Sequence, residues 1–111
     1  MGNTTLIASN KVITLASGVT ANAAQEKVYK ASLYTFFVAT VTGTGAVTAT
    51  IAIEGSNDGV VWCSTDLATI TLSATTTHTD GGTVISPCKW VRSNITNITG
   101  TGATVEVTMG Y

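Results

Sequence analysis

The sequence is poor in charge. Only 10% of its 111 residues are Asp, Glu, Lys or Arg, against roughly 25% in an average globular domain. The net charge at pH 7 is −1 and the five basic residues are scattered, which argues against nucleic acid or an anionic membrane as a partner. Since the mean hydropathy is +0.36, this composition is typical of a component that is partly buried in a larger assembly.

The residues from which catalytic and metal sites are usually built are also scarce. The chain has one histidine, His78, and two cysteines, without the spacing of a zinc site, and we expect no cofactor. A catalytic base would need a nucleophile and an orienting carboxylate, which the sequence around His78 does not supply. Glu54, Asp58, Asp66 and Glu106 form no recognisable acid pair. We therefore expect a protein that is not an enzyme.

Long apolar runs are missing as well. No run approaches the ~20 residues that cross a bilayer, and the first residues lack the basic and apolar regions of an export signal. We expect no membrane segment, and synthesis in a cytoplasm where thiols stay reduced. Cys63 and Cys88 each lie near a tryptophan and could face each other on neighbouring strands, so both thiols and a disulfide remain open.

The sequence is rich in β-branched residues that alternate with small polar ones. This pattern, interrupted by glycine turns, predicts a single antiparallel β-sandwich, jelly-roll-like, with at most one or two turns of helix in 21–27. The predicted strands are 11–16, 28–41, 47–53, 60–64, 67–72, 83–85, 89–95 and 104–109.

The predicted strand 28–41 carries large apolar side chains on both faces. Leu33 and Phe37 belong to one row, and Tyr34 and Phe36 to the other, so we expect cover on both sides for part of its length. The residues predicted to lie in or near the core are Leu33, Phe37, Ile51, Ile53, Trp62, Trp90, Val91 and Val107.

The most chemically crowded stretch is IEGSNDGVVW, residues 53–62. Asn, Asp and Gly tolerate the backbone of tight turns, so Ser56 to Gly59 predicts a hairpin turn between strands 47–53 and 60–64. Trp62 would follow on the second strand and pack on the core. We interpret the stretch as a structural turn.

Two resemblances extend this interpretation. The pattern Ser56-Asn57-Asp58-Gly59 with Trp62, followed by Lys89-Trp90-Val91-Arg92, resembles discoidin-type sugar-binding jelly rolls. That resemblance implies a carbohydrate-binding module, such as part of a phage fibre, with glycan as the ligand.

The size, low charge and Thr/Ala/Gly-rich character, with the closing TGATVEVTMG, resemble small cement or staple proteins of tailed bacteriophages, in particular the epsilon15-like short-tailed phages. This resemblance implies a decoration protein on the outer capsid surface of the virion, made in the host cytoplasm. It also implies the major capsid protein as partner and a homodimer as the clamping unit.

The beginning of the chain has little periodicity. We predict an N-terminal arm and loop region over 1–27 and the β-sandwich domain over 28–111. Arms can add strands to a neighbour's sheet, and we predict partner contacts at the arm and at the turn: Asn3, Thr4, Thr5, Leu6, Ile7, Asn57 and Asp58.

Overall fold

The computed structural model describes residues 11–30 and 32–111, which contain nine β-strands. The strands are β1 (Val12–Val19), β2 (Ala23–Ala24), β3 (Val28–Tyr29), β4 (Tyr34–Thr42), β5 (Val47–Ser56), β6 (Ala68–Ala74), β7 (Thr77–Ile85), β8 (Trp90–Thr99) and β9 (Thr104–Gly110). None of the described residues is helical, so this part of the chain has no helix long and apolar enough to cross a membrane.

The strands form two antiparallel sheets that pack face to face. The first sheet has the order β1-β9-β4-β7, and the second has the order β2-β8-β5-β6, with β3 also paired to β8. If β2 and β3 are counted as one interrupted strand, the eight strands follow the orders 1-8-3-6 and 2-7-4-5, which is the jelly-roll arrangement. The predicted all-β sandwich is confirmed.

The core lies between the sheets and follows the two-residue period of the strands. In β4, for example, Phe37, Ala39 and Val41 are fully buried, while the side chains between them face outward. The predicted core positions Phe37, Ile51, Ile53, Val91 and Val107 are all 0% exposed. The prediction for Leu33 is wrong, because this residue lies in the connection between β3 and β4 and is 45% exposed.

The predicted long strand 28–41 is wrong, since the chain changes sheets within it. Tyr29 pairs with Trp90 in the second sheet, whereas Tyr34 pairs with Ile85 in the first. Lys30 secures the crossing: its side chain is buried, and its ammonium donates to the carbonyls of Ser32, at 2.6 Å, and Ser86. Burial lowers the pKa of Lys30, because the charged form loses solvation.

Other boundaries also differ from the predictions. Residues 60–64 form no strand, because the Asp58 side chain takes the N–H groups of Val60 and Val61. The Thr-rich tract before residue 83 is part of β7, which pairs with β4 from Thr77 onwards. Segment 21–27 is extended rather than helical, since it pairs with β8 through β2.

The sandwich begins before residue 28. β1 is an edge strand of the first sheet, and its Leu15 and Ala16 belong to the core. The predicted boundary divided the chain into an arm and loop region at 1–27 and a sandwich at 28–111. In the structure β1 lies before that boundary and is part of the sandwich.

Candidate functional site

The turn at residues 56–61 is held by side-chain oxygens. Ser56 Oγ accepts from the N–H of Gly59 at 2.9 Å and donates to Val61 O. Asp58 Oδ1 accepts from the N–H groups of Val60 and Val61, at 2.8 and 2.9 Å. These two backbone donors lower the pKa of the exposed Asp58, since they stabilise its charged form. The predicted turn is present, but it is the first part of the loop 57–67 and does not join two paired strands as in a hairpin.

The loop 57–67 places Trp62 on the outer face of the second sheet. The guanidinium carbon of Arg92 lies 4.2 Å from the Trp62 ring centroid, a cation–π contact. Arg92 Nε also donates to Glu54 Oε1 at 2.7 Å, and Asn94 Nδ2 donates to Glu54 Oε2 at 3.1 Å. Glu54 pairs directly with Arg92 in the β5–β8 register. Glu54 Oε1 thus orients the guanidinium under Trp62, while Asn94 holds the other carboxylate oxygen.

Trp90 forms a second aromatic cluster on the same face. Tyr29 meets it edge to face, with ring centroids 5.3 Å apart and an interplanar angle of 80°. Lys27 Nζ lies 5.3 Å from the Trp90 centroid and donates to Gly59 O at 3.1 Å, and so ties the loop 57–67 to β8. Trp62 and Trp90, predicted for the core, are half-buried outside it. We call Trp62, Trp90, Tyr29, Lys27 and Arg92 the aromatic face.

Two grooves flank Trp62. A polar groove of about 300 Å³ is lined by Gln25, Lys27 and Arg92. A groove of about 550 Å³ on the other side is mainly apolar, with Val61, Leu67 and Pro87 in its wall. Both cysteines are free thiols that line this apolar groove: Cys63 is exposed and Cys88 half-buried.

A second surface lies on the outer face of the first sheet. Val12, Tyr34, Phe36 and Ile85, which we call the apolar patch, are between 51% and 75% exposed. The register explains their grouping: Gly110 pairs with both Val12 and Phe36, and Tyr34 pairs with Ile85. A groove of about 500 Å³ runs among Val12, Tyr34 and Phe36, with Gly110 in its lining. Beyond this patch the outer face of β4 continues with Val38, Thr40 and Thr42.

His78 and Asp80 each accept a hydrogen bond from nearby backbone. His78 Nδ1 accepts from the N–H of Ser73 at 3.0 Å, and Asp80 Oδ1 accepts from Gly81 N at 2.8 Å. Within residues 11–30 and 32–111, no three His, Cys, Asp or Glu side chains group as metal ligands.

The predicted contact residues fall into two sets. Asn57 and Asp58 are exposed at the start of the loop 57–67. Asn3, Thr4, Thr5, Leu6 and Ile7 lie outside the described residues. Sequence reasoning missed the apolar patch, although the second apolar row of strand 28–41 was the signal for it.

Comparison with known proteins identifies a fold and no family. Neither a protein-family model nor a curated protein matches the chain. Among solved structures, the crystal structure of SPBc2 prophage-derived protein YomS is similar, with a TM-score of 0.59 over 93% of this chain and 94% of that chain. The two sequences are 12% identical, so the likeness demonstrates a shared fold.

Proposed function

We propose that the chain is a non-enzymatic structural protein of a tailed phage particle, a cement or decoration protein that clamps neighbouring major capsid proteins and stabilises the shell. The observation that carries this proposal is the apolar patch. Tyr34, Phe36 and Ile85 lie side by side and more than half exposed on the first sheet. An exposed apolar cluster of this kind on the surface of a sheet supports a protein partner on this face.

The fold likeness supports the phage part of the proposal. A prophage-derived protein of nearly the same extent has the same architecture. The resemblance to cement proteins and the low charge support a place on the outer surface of the virion. The clamping role itself depends on the patch.

The patch would act through burial. Covering a half-exposed aromatic side chain removes on the order of 100 Å² of apolar surface from water, which contributes about 2.5 kcal/mol. A cement protein stabilises a shell only if it binds the assembled lattice better than free subunits. We therefore expect the patch to meet a surface that exists only where capsid subunits adjoin.

Particle stability tests this role. Phage particles produced without the protein should release their DNA at a lower temperature than complete particles. Adding the purified protein back should restore the higher temperature. Deficient particles that withstand heat and osmotic shock as well as complete ones would contradict the proposal.

The N-terminal arm remains part of the proposal. Residues Asn3 to Ile7, together with Asn57 and Asp58 of the loop, are the predicted additional contacts. Deleting residues 2–10 should leave the circular dichroism spectrum unchanged and reduce binding to empty shells. Full occupancy by the truncated protein would show that the arm is not needed.

A carbohydrate-binding module is the second candidate, and the aromatic face favours it. Trp62 lines a groove on each side, with Arg92 and Lys27 as donors nearby, and tryptophan beside polar groups suits sugar rings. A glycan array tests this function. Hits that Trp62→Ala abolishes would support it, whereas an array without hits would remove it.

A further inference from the structure

The sheets end in edge strands that are protected to different degrees. β1 pairs with β9 with two register shifts, and β2 and β3 are two residues long each, so these edges offer little regular backbone to another strand. β6 is regular but pairs over only seven residues, and His78 covers the N–H of its Ser73. β7 pairs with β4 over nine residues without a shift, and no strand in the described part of the chain pairs with its other edge.

Two hydrogen bonds fix which backbone groups of β7 point to that edge. At one end Ser86 N donates to Leu33 O at 3.1 Å, and at the other Gly43 N donates to Thr76 O at 2.8 Å. Since hydrogen-bonding positions alternate along an antiparallel pair, the even-numbered residues of β7 bond to β4. The N–H and C=O groups of its odd-numbered residues therefore point to the free edge: Thr77, Thr79, Gly81, Thr83 and Ile85.

We infer that β7 pairs with β7 of a second copy of this chain, antiparallel, about a two-fold axis at Gly81. This register overlaps both strands completely and sets each edge-facing residue opposite another edge-facing residue. Thr79 then lies opposite Thr83 of the second copy, and Gly81 opposite its own equivalent. The pairing joins two four-stranded sheets into one continuous sheet with a two-fold axis, the commonest symmetry of homo-oligomers.

The side chains of β7 suit this register. Asp80 falls opposite Gly82 of the second copy, so no like charges are directly opposed, and the two Gly81 residues place no side chain at the centre. An axis at Asp80 would instead set the two carboxylates against each other, which destabilises a strand pair. The self-complementary register is what favours a second copy over an unrelated strand.

Asp80 competes with this pairing. Its Oδ1 accepts from the Gly81 N–H at 2.8 Å, and this N–H is the group that would bond across the axis. An acidic side chain that covers an edge N–H limits strand addition. Removing the carboxylate should therefore strengthen the dimer, which is a change in the opposite direction from most surface substitutions.

The pairing would give the proposed clamp its geometry. The apolar patch of each copy lies on the outer face of the same sheet as β7, so a joined sheet presents two patches related by the two-fold axis. Two patches on one rigid sheet can bridge two capsid subunits. This biological role rests on the proposed function, whereas the pairing is tested on the isolated protein, so that either can fail without the other.

Cysteine cross-linking tests the register. In a Cys63→Ser, Cys88→Ser background, the double variant Thr79→Cys/Thr83→Cys should form a covalent dimer under mild oxidation, because opposed hydrogen-bonding residues lie about 5.5 Å apart. Within one strand, positions 79 and 83 are about 13 Å apart and cannot join. Each single variant is the matched control and should stay unlinked. Cross-linked single variants, or an unlinked double variant, would overturn the register.

Sedimentation equilibrium of the protein with its natural cysteines tests the interface. Thr83→Pro removes an edge-facing N–H that β4 does not use, so it should leave the circular dichroism spectrum intact and weaken the dimer at least 100-fold. Thr83→Val retains the N–H and should dimerise as the natural sequence does. Asp80→Ala should tighten the dimer about tenfold, the equivalent of one net hydrogen bond. A monomer at 100 µM, or a dimer that Thr83→Pro leaves unchanged, would overturn the inference.

Discussion

Replacing Lys30 by Met tests how the chain is held where it crosses between the sheets. The Lys30 side chain is 4% exposed, and its ammonium contacts the carbonyls of Ser32, Leu33 and Ser86. Methionine has a similar length but cannot donate, so Lys30→Met leaves these carbonyls without their partner. The crossing between β3 and β4 and the segment between β7 and β8 would lose their common anchor.

The expected magnitude follows from these contacts. A hydrogen bond from a charged donor contributes about 1.5–3 kcal/mol net, and part of this is offset because the variant no longer buries a charge. We therefore expect the free energy of unfolding to fall by about 2 kcal/mol. With an unfolding entropy of about 2.1 cal/mol/K per residue, this corresponds to a Tm lower by about 9 °C.

Thermal unfolding followed by far-ultraviolet circular dichroism at pH 7 measures this loss. Lys89→Met, the same change at an exposed neighbour, is the control and should alter the free energy of unfolding by less than about 0.5 kcal/mol. A Lys30→Met variant as stable as the natural sequence would refute the anchoring role.

The pH dependence of the free energy of unfolding gives a second comparison between the natural protein and Lys30→Met. The pKa of Lys30 in the folded chain lies below its ordinary value of 10.5, so the folded state releases this proton before the unfolded state does. The natural protein should therefore gain stability relative to Lys30→Met as the pH rises from the folded-state pKa to 10.5. A difference that shrinks over this interval would contradict the assignment.

Three further predictions concern β7, the loop 57–67 and the thiols. Gly81→Ala should lower the free energy of unfolding by more than about 3 kcal/mol, because the new Cβ would lie 1.9 Å from Phe37 O. Gly82→Ala is the control: its Cβ meets nothing within 4 Å, so the change should be less than about 1 kcal/mol. Urea unfolding measures both. The pKa of Asp58 lies below its ordinary value of 3.8. The stability that its carboxylate gives the loop is therefore complete above that pH and is lost as the pH falls through the folded-state pKa. Trp62 fluorescence should follow this transition in the natural protein and not in Asp58→Ala. Cys63 should react with a thiol reagent faster than Cys88, since it is the exposed one, and equal rates would show that both thiols are equally accessible.

The alternating pattern was sufficient to predict the sandwich and much of its core. Two-residue periodicity places Ile51 and Ile53 on one face of β5, and Val107 on the buried face of β9. Periodicity does not reveal where a chain passes from one sheet to the other. Residues 28–41 were therefore predicted as one strand, although the chain crosses between the sheets at Lys30. The Lys30 anchor depends on the carbonyl of Ser86, which is distant in the sequence.

The candidate surfaces were only partly predictable for a similar reason. The turn at Ser56 to Gly59 depends on local hydrogen bonds and was predicted. The position of Trp62 depends on Arg92, which Glu54 orients from a neighbouring strand, and this three-residue contact has no local signature. The apolar patch was visible as a second apolar row, but Gly110 brings Val12 beside Phe36 only through the β1-β9-β4 order.

Binding to shells that lack the protein tests the central claim most directly. Phe36→Ser and Ile85→Ser alter exposed patch residues and should leave the fold intact. Val60→Ser changes a valine of the loop 57–67 that is even more exposed, at 75%, and is the control outside the patch. We predict that the natural protein and Val60→Ser co-sediment with the shells at full occupancy and that both patch variants bind at least 30-fold more weakly, as expected for the loss of about 2 kcal/mol of apolar burial. Undiminished binding by Phe36→Ser and Ile85→Ser would contradict the assignment of the patch as the capsid contact.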